Sequence, residues 1–294
     1  MGGCGSCGPS KGIAWTRERL DQVAAEAQAE LREGRSPTGL LARRFADGVD
    51  ACGMDDESAR RVGELWLAWG VLEAIEGLVS AGHARTERIG RAISLLGDAL
   101  QCGPTPRVTA AIRYNLGATL LASTLRPDRA DVGPSEGARS ADLASVPWTV
   151  AGDAADLDAW ARAATHLAAV VDGDGGDDAL RAGARRALGL TYCLRGITGR
   201  PLRVRARLAA LDDALATLDP SDPLRDVAES ARRSLGALSS MTRLLGHHGE
   251  ALPEEARLLP LRAGGLFHLP PGVLDVSPPD TVQPWAQGAR DHAA

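Results

Sequence analysis

Leu188-Gly189-Leu190-Thr191-Tyr192 is the stretch that decides the fold, because its Leu-Gly step recurs along the chain. Equivalent steps occur at Trp69-Gly70, Leu116-Gly117 and Leu235-Gly236. The glycines are 47, 72 and 47 residues apart, and removing one insertion of 25 residues makes the period uniform. A fixed period in this range is typical of helical solenoids, in which each helix pair buries its apolar face against its neighbours. The spacing therefore predicts an all-α solenoid of antiparallel helix hairpins.

The composition favours the same fold class. The 294 residues are 44% hydrophobic and 3% aromatic, and the apolar residues are mostly Ala, Leu and Val. These residues suit closely packed helices better than a β-sandwich. The net charge of −5 gives no general attraction to phosphate backbones, so we expect no nucleic-acid partner. Because no window holds 18 uncharged apolar residues and no signal pattern opens the chain, we expect no membrane partner.

The cysteines indicate a cytoplasmic protein. They are odd in number and scattered through a chain that is large enough to fold without disulfides, so we expect reduced thiols. Cys4 and Cys7 have half the spacing of a zinc site, but no second Cys or His pair lies near them. We therefore expect no metal and no cofactor. Lys11 is the only lysine, and this bias, with the Ala and Gly content, is typical of GC-rich bacterial genes.

The periodic region divides the chain into four parts. Residues 1–14 are expected to form a flexible Gly/Cys tail, and residues 15–54 an N-terminal helical cap. The repeats occupy residues 55–246, with an insertion loop at 127–151 that is rich in Pro and Gly. Residues 247–294 hold seven of the 17 prolines, so we expect an irregular Pro-rich C-terminal extension.

The apolar spacing and the capping residues predict paired A and B helices within the repeats. The A helices are predicted from Asp55 to Leu78, Pro106 to Leu125, Asp177 to Leu194 and Asp222 to Leu245. The B helices are predicted from Thr86 to Leu100, Asp156 to Val171 and Pro201 to Leu218. Two further helices, Arg17 to Arg32 and Thr38 to Phe45, are predicted in the N-terminal cap.

Leu188-Gly189-x-x-Tyr192, followed by Gly196 at the expected turn, resembles the first half of a tetratricopeptide (TPR) repeat. Asn115-Leu116-Gly117 is similar, with Leu120 in the position of the Tyr, and Trp66 stands where the TPR Trp stands. The resemblance covers about residues 55–246. It implies a right-handed solenoid that presents a groove to a protein or peptide.

Two turns carry a more particular resemblance. Residues 152–158 and 219–223 are similar to the long TPR-like repeats of actinobacterial proteins, which often precede a caspase-like CHAT domain. No block of His and Cys follows the repeats in this sequence, so we expect no CHAT domain.

The glycine register also aligns a set of basic residues. Arg113, Arg185 and Arg232 fall four residues before their glycine, and Tyr114, Arg186 and Arg233 fall three residues before it. In a TPR-like solenoid the A helices line the concave side, so these six residues are the candidate peptide-binding groove. Arginines there would pair with acidic side chains or a C-terminal carboxylate of the partner. The alternative is that they bridge to acidic residues of adjoining helices or lie solvated on the outer face.

No group of residues forms a credible catalytic constellation. The Gly-x-Ser-x-Gly patterns at 8–12 and 133–137 lack the preceding strand that a nucleophile turn needs. His166 lies among small apolar residues of a B helix, as core histidines do, and the acidic loop 172–178 lacks the Glu and spacing of an EF-hand. The sequence therefore predicts a non-catalytic protein-interaction scaffold in a bacterial cytoplasm. Two alternatives remain open: a ligand-binding regulator or enzyme whose Arg columns hold an anionic small molecule, and a repeat module that once carried an effector domain.

Overall fold

The computed structural model describes residues 17–32, 41, 44–45, 47–48, 56–80, 82–102, 104–127, 148–199 and 202–245. Over these ranges the chain is all-α, apart from one short antiparallel ladder between β1 (Arg126–Pro127) and β2 (Trp148–Thr149). The helices are α1 (Arg17–Arg32), α2 (Asp56–Val79), α3 (Gly82–Gln101), α4 (Pro106–Thr124), α5 (Ala154–Val171), α6 (Asp178–Thr198), α7 (Val204–Thr217) and α8 (Pro223–Leu245).

Side-chain caps fix the starts of three of these helices. Thr105, Asp153 and Asp177 each accept a hydrogen bond from the backbone N–H three residues later, at 3.4, 3.0 and 2.8 Å. Such bonds satisfy one of the four N–H groups that a helix start leaves without a partner. At the start of α4, Pro106 occupies the first helical position, where its missing N–H costs nothing. The predicted starts of α4, α5 and α6 therefore hold to within two residues.

Three helix boundaries differ from the prediction by three residues or more. α7 begins at Val204 rather than Pro201, because Arg203 before it has an extended backbone conformation. α3 begins at Gly82 rather than Thr86, because Gly82 adopts a φ of +56° and turns the chain directly after α2. α6 runs to Thr198 rather than Leu194, so Gly196 is a helical residue and not the turn that the TPR pattern places there. A Cβ on Gly196 would lie 2.5 Å from Cγ of Leu211, so this glycine permits close packing against α7.

The N-terminal cap is partly described. α1 has the predicted bounds, and its buried Leu20, Val23 and Ala27 pack in one cluster with Leu41, Phe45 and residues of α2. Positions 41, 44–45 and 47–48 are helical, so helical residues also occur after the predicted end at Phe45. The predicted tail at 1–14, residues 128–147 of the insertion loop and the extension at 247–294 lie outside the described residues.

Helices that follow one another in sequence make the main contacts. The hairpin partners are α2 with α3, α4 with α5 and α6 with α7, and each hairpin packs on the next through α3–α4, α5–α6 and α7–α8. The predicted A helices also meet in chain order, α2 on α4, α4 on α6 and α6 on α8. The apolar core is accordingly built between successive neighbours.

Three of the four register glycines lie where helices approach closely. A Cβ on Gly70 would lie 2.8 Å from Cγ of Leu96, and one on Gly117 would lie 2.7 Å from Cγ of Leu167. On Gly189 it would lie 2.5 Å from Cγ of Leu218. On Gly236 it would meet no described atom within 4 Å, so the predicted close approach is not met there by the described residues.

Candidate functional site

Arg113 lies at the seam of a hairpin. Gly117 faces α5, and a residue four positions earlier on a helix is rotated by only about 40°. Arg113 therefore points toward the same neighbour and lines a cleft with Ala169 and Val170 of α5. Arg113 thus lies at the seam with its B helix, and its part in the predicted peptide-binding groove of the A helices stays a prediction.

Arg186 and Arg232 are engaged within the protein. Arg186 Nε donates to Asp222 Oδ2 at 2.9 Å, which ties α6 to the start of α8, and the Asp222 side chain is only 10% exposed. Arg232 Nε donates to Asp212 of α7, in a pair whose side chains are both about half exposed. Both arginines thus bridge to acidic residues of adjoining elements, which is the alternative to a groove role.

Arg185 and Arg233 are exposed on α6 and α8. Arg233 Nε donates to the backbone oxygen of Glu229 on its own helix at 3.4 Å. No ion pair joins Arg185 to another residue in the described part of the chain. Of the six candidates, Arg113 and Arg185 make no hydrogen bond or ion pair to a described residue, whereas Arg233 bonds only the backbone of its own helix.

Tyr114 is a core residue. Its side chain is completely buried and belongs to a cluster that includes Leu167 and Val170 of α5 and Ala184 of α6. The prediction that Tyr114 lines an accessible groove is wrong, because the position three before the glycine faces the next hairpin. The equivalent positions in α6 and α8 hold arginines, since packing around those helices leaves them less covered.

The cleft at Arg113 has a volume of about 330 Å³ and lies at the N-terminal end of α4. It is lined by Pro104, Pro106, Thr109, Ala110, Arg113, Ala169, Val170, Gly173 and Gly175. The Thr109 hydroxyl donates to the backbone oxygen of Pro104 at 3.3 Å, so it is engaged locally. Arg113 is the charged residue among these lining residues, and no carboxylate accompanies it there.

His166 lies one helical turn before the cleft residues Ala169 and Val170. Its Nδ1 is buried and has no hydrogen-bond partner within the described structure. Burial lowers the pKa of His166, and the positive charges of Arg113 and Arg162 lower it further. An imidazole in this setting is neutral at pH 7 and carries an unsatisfied polar atom, which is uncommon in protein interiors.

Two arginines that sequence reasoning missed close the ends of A helices. Arg85 donates to the carbonyl oxygens of Leu78, Ala122 and Leu125, at 3.2, 2.9 and 2.7 Å. Arg207 donates in the same way to Gly196 and Ile197 at the end of α6. Burial lowers the pKa of the Arg85 guanidinium to about 10. Both are the fourth residue of a B helix, α3 or α7, and this shared position is the signal that could have found them.

A buried carboxylate between α2 and α3 was also missed. Glu73 is completely buried, and its oxygens accept from Arg91 at 3.0 Å, Arg88 at 3.3 Å and the Trp69 indole at 3.4 Å. Arg88 also pairs with Glu76. A charge inside an apolar helix pair needs such partners. The cluster holds α2 to α3 and offers no open position to a substrate.

Other chemically capable residues are dispersed. No group of three or more His, Cys, Asp or Glu side chains comes together as a metal site within the described ranges. Cys102 and Cys193 are free thiols, and burial raises their pKa to about 11 and about 12, so both stay protonated at neutral pH. In the described part of the chain, no helix combines the length and apolar character needed to cross a bilayer.

Comparison with family models, with curated proteins and with solved structures gives no match. Function has to be inferred from the residues of this chain.

Proposed function

We propose that this protein is a TPR-like helical solenoid that acts as a non-catalytic scaffold in a bacterial cytoplasm, binding an acidic protein or peptide. The observation that carries the proposal is the order of helix contacts. Each hairpin packs on the next, and the A helices α2, α4, α6 and α8 meet in sequence. Nearest-neighbour packing of this kind is the hallmark of repeat proteins, which use extended surfaces to bind partners.

The two available arginines indicate where an acidic partner would bind. Arg113 and Arg185 occupy the same register position in successive A helices, and neither forms an ion pair within the described structure. Guanidinium groups bind carboxylates through two parallel hydrogen bonds and so favour acidic partners. Arg186 and Arg232, which pair internally, are left out of the proposed binding surface.

The test is partner capture with the full chain, followed by reconstitution from purified components. An Arg113→Glu/Arg185→Glu variant is compared with Arg162→Glu/Arg205→Glu, which changes the charge equally at exposed positions on the B helices α5 and α7. We expect the first variant to lose a stoichiometric partner that the wild type and the control retain. Circular dichroism would establish that both variants are folded.

Two results would contradict the proposal. One is a purified wild-type chain that binds none of the captured proteins in titration calorimetry. The other is equal partner binding by both double variants, which would remove the Arg register from the binding surface.

A further inference from the structure

The cleft at Arg113 combines one cation with apolar walls. The Thr109 hydroxyl already donates to Pro104, so the guanidinium supplies the free side-chain N–H donors among the lining residues. Ala110, Ala169 and Val170 form the apolar part of the wall. Such a cleft suits a ligand with a small anionic group next to a small aliphatic group.

The availability of Arg113 distinguishes it from arginines nearby in the fold. Arg181 binds Gly173 O and Asp178, and Arg162 lies 4.0 Å from Asp158. Arg186 pairs with Asp222. Arg113 has no hydrogen bond or ion pair to any described residue although it is partly buried. A partly desolvated guanidinium without an anion is poorly satisfied, and a carboxylate would satisfy it.

The loop that holds Gly175 packs closely against the start of α4 and forms one wall of the cleft. Gly175 passes so near the start of α4 that a Cβ there would overlap the backbone oxygen of Pro106. The carboxylates of the same loop are turned outward: Asp172 and Asp174 are exposed and do not line the cleft. The loop therefore closes the cleft with backbone and leaves its negative charges in solvent.

We propose that this cleft binds an aliphatic carboxylate, with the carboxylate on the Arg113 guanidinium and the alkyl group against Ala110, Ala169 and Val170. The inference rests on the proposed function and deepens it, because the C-terminal residue of a bound peptide has this chemistry. A free small carboxylic acid has the same chemistry. The nearby His166, whose pKa is lowered partly by Arg113, would sense the arriving anion because a negative charge there offsets that of the arginine.

The experiment uses the full chain and defined probes. Isovalerate is titrated against its neutral amide, and the peptide acetyl-Ala-Val with a free C-terminus is titrated against the same peptide with a C-terminal amide. Binding is followed by NMR at the Arg113 side chain and by the pKa of His166. We expect both acids to bind, both amides to bind at least about tenfold more weakly, and the pKa of His166 to rise with bound acid. Tighter binding of the peptide acid than of isovalerate identifies a peptide C-terminus as the source, and the reverse order identifies a free acid.

Variants distinguish binding in the cleft from nonspecific attraction of the acid to positive charge. Arg113→Gln should weaken acid binding about tenfold or more, whereas Arg205→Gln, the same change at an exposed position on α7 outside the proposed binding surface, should leave it within about twofold. Ala169→Leu keeps Arg113 and fills the cleft, so it should abolish binding even if Arg113→Gln fails to fold. Asp174→Asn removes a nearby negative charge and should tighten binding modestly.

The inference is overturned if acids and amides bind equally, if Arg205→Gln weakens binding as much as Arg113→Gln, or if no probe binds the wild type at concentrations up to about 10 mM, tenfold above the Kd of a weak millimolar ligand. A failure of this kind leaves the capture experiment intact, since a protein partner could still bind through Arg185. Loss of partner capture with retained acid binding would instead contradict the scaffold function alone.

Discussion

α4 and α8 carry the same register glycine in very different surroundings. Gly117 of α4 packs against Leu167, and 14 of the 19 residues of this helix are buried. Around Gly236 of α8, the residues Glu229, Arg232 and Arg233 are exposed, and only Ala228 and Leu235 are buried among residues 223–237. The same sequence step is therefore a packing site in one helix and part of a polar face in the other.

The difference shows what a repeat position means physically. A glycine permits close approach, but a neighbour has to be present for the approach to occur. The face of α8 that bears Gly236 carries Glu229 and Arg233 where α4 carries Ala110 and Tyr114. The register predicts equivalence of backbone position, and the side chains decide which helix is interior.

The largest difference in the free energy of unfolding is expected between variants of a buried ion pair and of an exposed one. Glu73→Gln should reduce the free energy of unfolding by about 3 kcal/mol, because it leaves Arg88 and Arg91 without the carboxylate that they share inside the fold. Arg232→Gln, at the half-exposed pair on α8, should cost between about 0 and 1 kcal/mol. Urea denaturation followed by circular dichroism measures both.

Equal losses from these two variants would show that α8 is as firmly integrated as α2, contrary to the comparison. A Glu73→Leu variant serves as a second check. Removing the charge together with its polar atoms leaves Arg88 with Glu76 alone and Arg91 with Glu87 alone, so it should also destabilise.

Substituting the two glycines tests the comparison directly. Gly117→Ala places a methyl group against Leu167 Cγ and 3.2 Å from the backbone oxygen of Ala163, and should destabilise by about 1–3 kcal/mol. Gly236→Ala should be neutral or stabilise by up to about 1 kcal/mol, because Ala is the better helix former. Thermal unfolding of both variants measures the difference.

A double variant checks the cause of the first effect. In a Leu167→Ala background the added methyl at position 117 has room, so Gly117→Ala should cost less there than in the wild type. If Gly236→Ala destabilises as much as Gly117→Ala, Gly236 is packed as closely as Gly117, contrary to the comparison.

Much of the fold could be predicted from the sequence because its signals are local. Thr105 before Pro106, and Asp177 before an apolar run, mark helix starts through bonds that span three residues. The period of the Leu-Gly step predicts which helices form successive hairpins. The predicted end of α6 was wrong for a physical reason. A glycine in the sequence can mark the end of a helix, or it can lie within a helix and let another residue pack closely. Gly196 does the second, because Leu211 packs against it.

The candidate site was harder to predict because its contacts join distant residues. Arg186 pairs with a residue 36 positions away and Arg232 with one 20 positions away, and no local pattern indicates either pair. Tyr114 and Arg186 share a register position, yet one is core and the other half-exposed. The sequence located the arginines on the A helices. Which neighbour the glycine faces, and therefore which way Arg113 points, follows only from the packing.

The smallest expected effect is a pH dependence that arises in the interior and not at α8. Burial and the charges of Arg113 and Arg162 lower the pKa of His166 in the folded chain below its ordinary value of 6.5. At pH values between the folded and the unfolded pKa, His166 therefore binds more protons in the unfolded chain than in the folded one. Stability should therefore fall as the pH is lowered below about 6.5 and be unaffected by this group well above it. The wild type should exceed His166→Gln in stability by more at pH 8 than at pH 5.5, measured by urea denaturation, with the other titrating groups cancelling in the difference. A constant difference would mean that His166 has the same affinity for protons in the folded and the unfolded chain. A larger difference at pH 5.5 would mean that an anion already faces its ring, contrary to a cleft in which Arg113 dominates.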